Sequence, residues 1–287
     1  MVSPVFALVS LVLARGRGIH YKTNVDPDTH KHRGLHYKST GEHGKRQASG
    51  AQLTYYGGPV ISNIEVHPIF YGGDNVQYKS DIQGFYAGVV DSPYFDWLSE
   101  YNTQTQTIGR GKYVGSIDYT DNLASSLDDQ NDIQPLLKKL ADAGTIQPNA
   151  NTYFPIHFQP NVDISQGGSA SCQVFCAYHG TIEYKGGYIY YGVIPDQGGA
   201  CSGGCGSDSN PFNNLCSVSS HEMIEATTDP AVGVAKGNAA PLGWYDSNNG
   251  EIGDICNAQQ TTITGGNGNT YTVQLEWSNS QNSCIAQ

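Results

Sequence analysis

"SHEMIEATTDP", residues 220–230, carries the strongest structural and chemical signal in the chain. It predicts a helix that ends at Asp229, because the residue before a proline is pushed out of the α region. Positions i and i+4 share one face of a helix, so His221 and Glu225 point towards one site, and Glu222 lies about 100° around the axis. This is the spacing of the zinc-protease motif H-E-x-x-H, with glutamate in place of the second histidine.

The motif predicts a metal site in which His221 and Glu225 bind the cation and Glu222 takes a proton from a metal-bound water. Zinc accepts carboxylate oxygen beside imidazole nitrogen, so Zn²⁺ is the predicted ion. Calcium prefers oxygen ligands, and Ca²⁺ is the alternative if the imidazole lies outside the coordination sphere. The structural alternative is a surface helix whose acidic residues interact favourably with the helix dipole.

A third protein ligand has to come from another part of the chain. The segment "GWYDSNNGEIGDIC", residues 243–256, holds three acids between glycines. We expect Glu251 to be the third ligand, with Asp254 next and Asp246 as a further candidate. His179, in "CAYHG", is the remaining candidate if disulfides fix its loop near the helix.

The first 46 residues differ in composition from the rest of the chain. Their apolar run "VFALVSLVLA" is too short to span a bilayer and predicts a signal peptide over residues 1–14, with a buried strand as the alternative. Residues 15–46 are basic and end in the dibasic pair Lys45-Arg46, which predicts a propeptide or, alternatively, a disordered tail that stays attached. The mature protein is then residues 47–287, secreted to the outside of the cell.

The predicted mature part is strongly acidic. The whole chain has 15 Lys+Arg and 26 Asp+Glu, and residues 1–46 hold 8 and 3 of them, which leaves 15 − 8 = 7 basic and 26 − 3 = 23 acidic groups, a net charge of −16. Such a surface repels nucleic acid and anionic lipid, so neither is an expected partner. No long apolar segment follows residue 46, and no membrane span is predicted.

The seven cysteines all lie in the predicted mature part. In a secreted protein they are expected to form disulfides, with a zinc cluster of four cysteines as the alternative. Two C-x3-C pairs can be joined within each pair or across the pairs, and the last two cysteines are expected to pair with each other. Cys216 is left over, as a small buried residue at a helix start. The cysteines expected in disulfides are Cys172, Cys176, Cys201, Cys205, Cys256 and Cys284.

The predicted elements favour the α+β class. Two β-rich runs at 52–56 and 59–71 precede a helical region at 78–101 that breaks at Pro93. "NDIQPLLKKLADAG" predicts a further helix, and strands are expected at "KYVGSIDY", "TYFPIHFQP", "YIYYGVIPD" and "YTVQLEWS". With no linker or repeat, residues 47–287 are predicted to form one disulfide-stabilised domain with a zincin-like active-site helix against a mixed β-sheet. Nucleotide-binding and serine-hydrolase motifs are missing from the sequence.

Three motifs in order, "YYGGPVISNIEVHPIFYGG", "SHEMIEATTDP" and "GEIGDIC", resemble the exordium or phosphate-induced family. The resemblance covers most of residues 54–284, and it implies an extracellular protein of the kind found in plant cell walls, with secreted relatives in fungi and bacteria. Lys45-Arg46 is similar to a fungal processing site and so favours a fungal-type member. The family's H-E-x-x-E and E-I-G-D motifs fall on His221, Glu222, Glu225, Glu251 and Asp254.

Two functional hypotheses follow from these patterns. The first is a secreted metal-dependent hydrolase, a zinc peptidase that cleaves an extracellular protein or peptide. The second is a non-catalytic extracellular or cell-wall protein, in which the acid cluster holds a structural metal or some of the 19 tyrosines and 3 tryptophans stack on polysaccharide. The motifs favour the enzyme.

Overall fold

The computed structural model describes the main chain of residues 35–37 and all of residues 50–287. The predicted signal peptide and the rest of the predicted propeptide lie outside the described residues. The α-helices are α1 (Lys79–Val89), α2 (Pro93–Asp96), α3 (Gln134–Asp142) and α4 (Pro211–Thr228). The strands are β1 (Leu35–Tyr37), β2 (Thr54–Tyr55), β3 (Asn63–Val66), β4 (Ile69–Tyr71), β5 (Gly109–Tyr113), β6 (Ile117–Tyr119), β7 (Ser126–Asp128), β8 (Thr152–Phe158), β9 (Asp163–Gln166), β10 (Ser169–Ala170), β11 (Phe175–Tyr184), β12 (Gly187–Ile194), β13 (Trp244–Tyr245), β14 (Gln260–Thr264), β15 (Thr270–Gln274), β16 (Glu276–Ser278) and β17 (Ser283–Ile285).

The largest sheet has eight strands, six of them in the order β1-β11-β12-β8-β3-β5. Strand β4 also pairs with β8, and β6 pairs with β4. The pairs β12–β8, β8–β3, β8–β4, β3–β5 and β4–β6 are parallel, and β1–β11 and β11–β12 are antiparallel. Smaller sheets join β7, β9 and β10, then β2 and β13, β14 and β15, and β16 and β17. The predicted α+β class with a mixed sheet is therefore confirmed.

The β11–β12 hairpin forms the part of the sheet closest to the candidate site. Its two arms are joined by a tight turn at Lys185-Gly186, where both residues have positive φ angles, 47° and 81°. The sequence predicted only the second arm, with cysteine-rich loops around it. That expectation was wrong: "FCAYHGTIEY" is a strand of 10 residues. Buried almost throughout, it lacks the alternation of polar and apolar residues by which a half-exposed strand is recognised.

Two segments predicted as single strands each form two. "KYVGSIDY" is divided between β5 and β6 around Gly115, whose φ of 104° suits glycine and interrupts the extended backbone. "YTVQLEWS" is divided at Leu275, because β15 pairs with β14 whereas β16 pairs with β17. The partner of a strand depends on distant residues, so this division is not visible in the local pattern.

Helix α4 ends where the sequence predicts. Asn210 caps it by accepting a hydrogen bond from the Phe212 amide, Pro211 occupies the first turn, and Asp229 ends it before Pro230. Every residue from Asn214 to Thr228 is buried, so the alternative of a surface helix is excluded. Among the described residues, no helix is long and apolar enough to span a membrane.

The main sheet separates two apolar clusters. On one side, Leu137 and Leu140 of α3 belong to a cluster that also includes Tyr178 of β11 and Tyr191 of β12. The other side holds α1 and α4. Successive side chains of a strand point to opposite faces, so Tyr178 turns towards α3 and the next residue, His179, turns towards α4.

The disulfides cross-link the two C-x3-C pairs. Cys172 bonds to Cys201 and Cys176 bonds to Cys205, which selects the pairing across the pairs and excludes a four-cysteine zinc cluster. The predicted bond between Cys256 and Cys284 is present. Cys216 is free and buried near the start of α4, as expected.

Asp129 fixes the α3 side of the hairpin. It lies in a π-helical turn before α3, and its Oδ1 accepts hydrogen bonds from Tyr178 and Tyr191 at 2.8 and 2.9 Å. Gln134 Nε2 donates to the other oxygen at 2.8 Å. Burial raises the pKa of Asp129, while the two tyrosines and Gln134 oppose that shift by stabilising the carboxylate.

Replacing Asp129 by alanine should lower the free energy of unfolding by about 2–4 kcal/mol, because two buried tyrosine hydroxyls lose their acceptor. The matched control is Asp142→Ala, which removes an exposed carboxylate at the end of α3 and should cause little change. Urea unfolding at neutral pH measures both. Equal stabilities of the two variants would show that Asp129 does not hold the hairpin.

Candidate metal centre

Helix α4 brings its histidine and second glutamate into contact. His221 Nε2 lies 3.0 Å from Glu225 Oε1, one helical turn away. Gln274 Nε2 lies 2.7 Å from the other ring nitrogen, Nδ1. The Gln274 amide is held by bonds to the Gly253 carbonyl and from the Ala258 amide, so its nitrogen donates to Nδ1. The imidazole proton of His221 therefore lies on Nε2 and faces Glu225.

Strand β11 supplies the second imidazole. His179 Nδ1 lies 3.3 Å from Glu222 Oε2 and 3.4 Å from Glu225 Oε2. The sequence named His179 only as a remaining candidate on a loop, whereas a strand holds it against the helix. Glu225 therefore lies between two imidazoles, with His221 at one oxygen and His179 at the other.

The loop after β13 brings the remaining acids. Glu251 Oε1 lies 3.3 Å from His179 Nε2, on the opposite edge of the ring from Glu222 and Glu225. Asp254 donates its amide to Glu225 Oε1 at 3.1 Å, and its own carboxylate accepts the Glu251 amide at 3.1 Å. The "GEIGDIC" segment thus reaches the helix, as the sequence predicted.

Asp246 is not part of this cluster. Its Oδ1 accepts hydrogen bonds from the amides of Asn248 and Asn249, and its Oδ2 accepts one from the amide of Gln52. These contacts close the turn between β13 and residue 250 and tie it to the start of the described chain. Asp246 therefore has a structural role in the loop.

The cluster is buried and rich in acids. His179 is 2% exposed, and His221, Glu222, Glu225 and Glu251 are 0% exposed. Within the part of the chain that the structure describes, no lysine or arginine forms an ion pair with these acids, and both oxygens of Glu251 and Oε1 of Glu222 receive no hydrogen bond. Burying carboxylates without partners is costly, so the cluster is suited to a cation.

The acids of the cluster differ in the direction in which their pKa values are shifted. Burial raises the pKa of Glu222 to about 7 and also raises the pKa of Glu251. Glu225 is buried as well, but the two imidazoles on either side hold its pKa below the usual range. Burial alone would lower the pKa of His179, yet the carboxylates of Glu251, Glu222 and Glu225 hold it well above its usual value.

Two residues at the site were missed by the sequence patterns. Gln274 orients His221, and Glu276 is buried two residues further on, where its Oε1 accepts the Tyr94 hydroxyl at 3.0 Å. Both are polar residues two apart in "YTVQLEWS", and so they were visible as a polar face of a strand. That face packs against α4, where Gln274 donates its main-chain amide to Ser220 Oγ.

Comparison of the chain with protein-family models, curated proteins and solved structures finds no match. The resemblance to the exordium family therefore stays a prediction that rests on the three sequence motifs. The geometry of the cluster carries the functional argument.

Gly253→Ala should lower the free energy of unfolding by about 1–3 kcal/mol, because a methyl group at this position must displace either the loop that carries residue 253 or the His221 imidazole. A Cβ at this position would lie 2.7 Å from His221 Nδ1 and 3.0 Å from Glu225 Oε1. The control is Gly203→Ala, where a Cβ meets no heavy atom within 4 Å. Thermal unfolding of both variants measures the effect, and equal melting temperatures would contradict it.

Proposed function

We propose that His179, Glu222 and Glu225 bind one divalent cation, and that the protein is a metal-dependent hydrolase of peptide bonds. The observation that carries this proposal is the convergence of three ligand atoms from β11 and α4. One nitrogen or oxygen atom from each residue lies within 4.8 Å of the other two, and all three side chains are buried. The exordium resemblance and the H-E-x-x-E motif support the same site.

The distances fit a tetrahedral ion such as Zn²⁺. Ligands about 2.0–2.1 Å from zinc are about 3.3–3.4 Å apart along the edges of a regular tetrahedron. His179 Nδ1 lies 3.3 Å from Glu222 Oε2 and 3.4 Å from Glu225 Oε2. A direct N–H···O hydrogen bond is usually shorter, about 2.9–3.0 Å. Three protein ligands would be the number that catalytic zinc sites use.

The neighbouring residues orient these ligands. Glu251 faces Nε2 of His179, the arrangement in which a carboxylate fixes the ring and increases its basicity. His221 faces the second oxygen of Glu225, and Gln274 fixes His221 in turn. The proposal thus keeps the helix of the zincin-like prediction but takes the imidazole ligand from β11. Three of the predicted ligands, His221, Glu225 and Asp254, also bring ligand atoms within 4.8 Å of one another. In the proposal His221 and Glu251 act as positioning residues, and Asp254 holds the loop to Glu225.

The proposed chemistry is attack of water on a carbonyl carbon. The cation supplies a Lewis acid that lowers the pKa of a bound water. Glu222 would help to hold the cation through Oε2, while its Oε1 receives no hydrogen bond from any described residue. In the proposed reaction Oε1 would take a proton from the attacking water and pass it to the leaving amine. The predicted base is thereby retained.

The proposed location is extracellular. Three disulfides are typical of proteins that work in an oxidising compartment. The sequence adds a predicted signal peptide and dibasic site ahead of the described domain. Extracellular proteins or peptides are therefore the proposed substrates.

A structural cation site is the second candidate function. It is favoured by the complete burial of the ligands, because structural sites are closed whereas catalytic sites keep an open position. Chelation would then destabilise the protein with no loss of a reaction. A protein that binds zinc, unfolds more readily without it and hydrolyses no peptide would establish this alternative.

The two imidazoles are predicted to differ in their effect on metal content. His179→Gln should lose the cation, whereas His221→Gln should bind it about 10–100-fold more weakly. Removal of a residue that orients a ligand reduces metal affinity less than removal of the ligand itself. Zinc per chain is measured by mass spectrometry after dialysis, with circular dichroism as the check on folding. The reverse pattern, with zinc lost only from the His221 variant, would overturn the proposed ligand set.

The two helix glutamates are predicted to differ in catalysis. Glu222→Gln and Glu225→Gln each keep an amide oxygen near the cation, but only Glu222→Gln removes the proton acceptor. At saturating zinc, kcat on an unstructured protein should fall at least about 100-fold in Glu222→Gln and less than about tenfold in Glu225→Gln. The assay uses protein cleaved after Arg46, and a fully active Glu222→Gln variant would exclude this base.

A further inference from the structure

The described part of the predicted propeptide forms a strand of the main sheet. The main chain of β1 runs antiparallel to β11, with Leu35 opposite Tyr178, His36 opposite Ala177 and Tyr37 opposite Phe175. These residues precede the dibasic pair by eight positions or more in the sequence. A segment expected to be cut from the chain is therefore paired with the strand that carries His179.

Removal of β1 would leave β11 as the edge of the sheet. On its other side β11 pairs with β12, so β1 is its neighbour at the outer side. An edge strand presents unpaired N–H and C=O groups that accept another extended chain. A mature protein without β1 must therefore expose the main-chain groups that β1 pairs with, or fill the edge with a second segment. The Phe175 carbonyl also accepts the Cys172 amide at 2.8 Å, so this group has a further partner outside β1.

The edge lies beside the candidate metal centre. The paired stretch of β11 ends at Tyr178, and the next residue is His179, whose ring contacts Glu222 and Glu225. A chain bound along this edge would therefore have its main chain next to the cluster. The same stretch contains Cys176, whose disulfide to Cys205 fixes the strand, so the edge is ordered before any ligand binds.

We propose that the outer edge of β11, from Phe175 to Tyr178, is a binding site for an extended peptide, and that residues 35–37 occupy it as an internal ligand until the chain is cut. Cleavage by a dibasic-specific protease adds water across the Arg46–Gln47 bond and leaves a carboxylate and an amine. The β1 segment is then free to dissociate. That the incoming peptide is the substrate rests on the proposed hydrolase function, whereas the edge site does not.

Tethering explains why one cut changes the occupancy. A short covalent connection gives an effective concentration on the order of 1 mM. A strand with a Kd of about 10 µM is then about 99% bound while it is attached. After the cut, at about 1 µM protein, the same strand is only about 10% bound. Cleavage therefore exposes the edge with no change in the rest of the fold.

The test uses the full chain and a fluorescent peptide of residues 33–40, "RGLHYKST". Protein cut at the dibasic site and dialysed should bind this peptide, and uncut Lys45→Ala/Arg46→Ala protein should bind at least about tenfold more weakly. A matched peptide with proline in place of His36 should not bind, because proline removes an amide donor and disrupts strand pairing. Equal binding by cut and uncut protein would overturn the proposal.

A second variant separates occupancy from cleavage. Adding His36→Pro to the uncut Lys45→Ala/Arg46→Ala chain should release β1, so that this protein binds the peptide without being cut. Hydrogen exchange at those amides of residues 175–178 that face β1 should then accelerate at least about tenfold and slow again when peptide is added. Unchanged protection at these amides would refute occupancy of the edge by β1. Neither peptide binding nor hydrogen exchange depends on metal or on hydrolysis. An inactive protein that still binds the peptide would therefore contradict only the proposed hydrolase function.

Discussion

The carboxylate of Glu225 is the constraint on which the site depends. One oxygen faces His221 and accepts the Asp254 amide, and the other faces His179. Helix α4, strand β11 and the loop after β13 therefore meet at a single side chain. A charge this deeply buried is stable only with opposite charge around it. The two imidazoles flank this carboxylate, and the surrounding acids leave a deficit of positive charge that a divalent cation would fill.

The sequence predicted the helix and its contents because those signals are local. The proline after Asp229 and the spacing from His221 to Glu225 both lie within one segment. The glycine-rich loop was also recognised, since its acids stand out from their neighbours. Its contact with α4 was inferred from chemistry rather than from a folding pattern.

The second imidazole could not be found in the same way. His179 reaches the cluster because β11 pairs with β12, and β12 pairs with β8 from a distant part of the sequence. β11 also contains cysteine, glycine and histidine. Without knowledge of the neighbouring strands, this composition is typical of a loop. Gln274 was missed for a related reason. Its strand presents polar residues to the interior, where they form hydrogen bonds with side chains of α4. Pairing between strands that are distant in the sequence decides the burial of such residues, and the periodicity of one segment does not reveal that pairing.

The two disulfides at the hairpin have a consequence for chain breaks. They join residue 172 to 201 and residue 176 to 205, with the same separation of 29 residues, and so they bracket both arms of the hairpin. The turn at Lys185-Gly186 is exposed, and it is where an environmental protease would find the backbone. After a cut there, the two arms would stay covalently attached at their far ends through the disulfides. The strand bearing His179 would keep its anchorage although the polypeptide was no longer continuous.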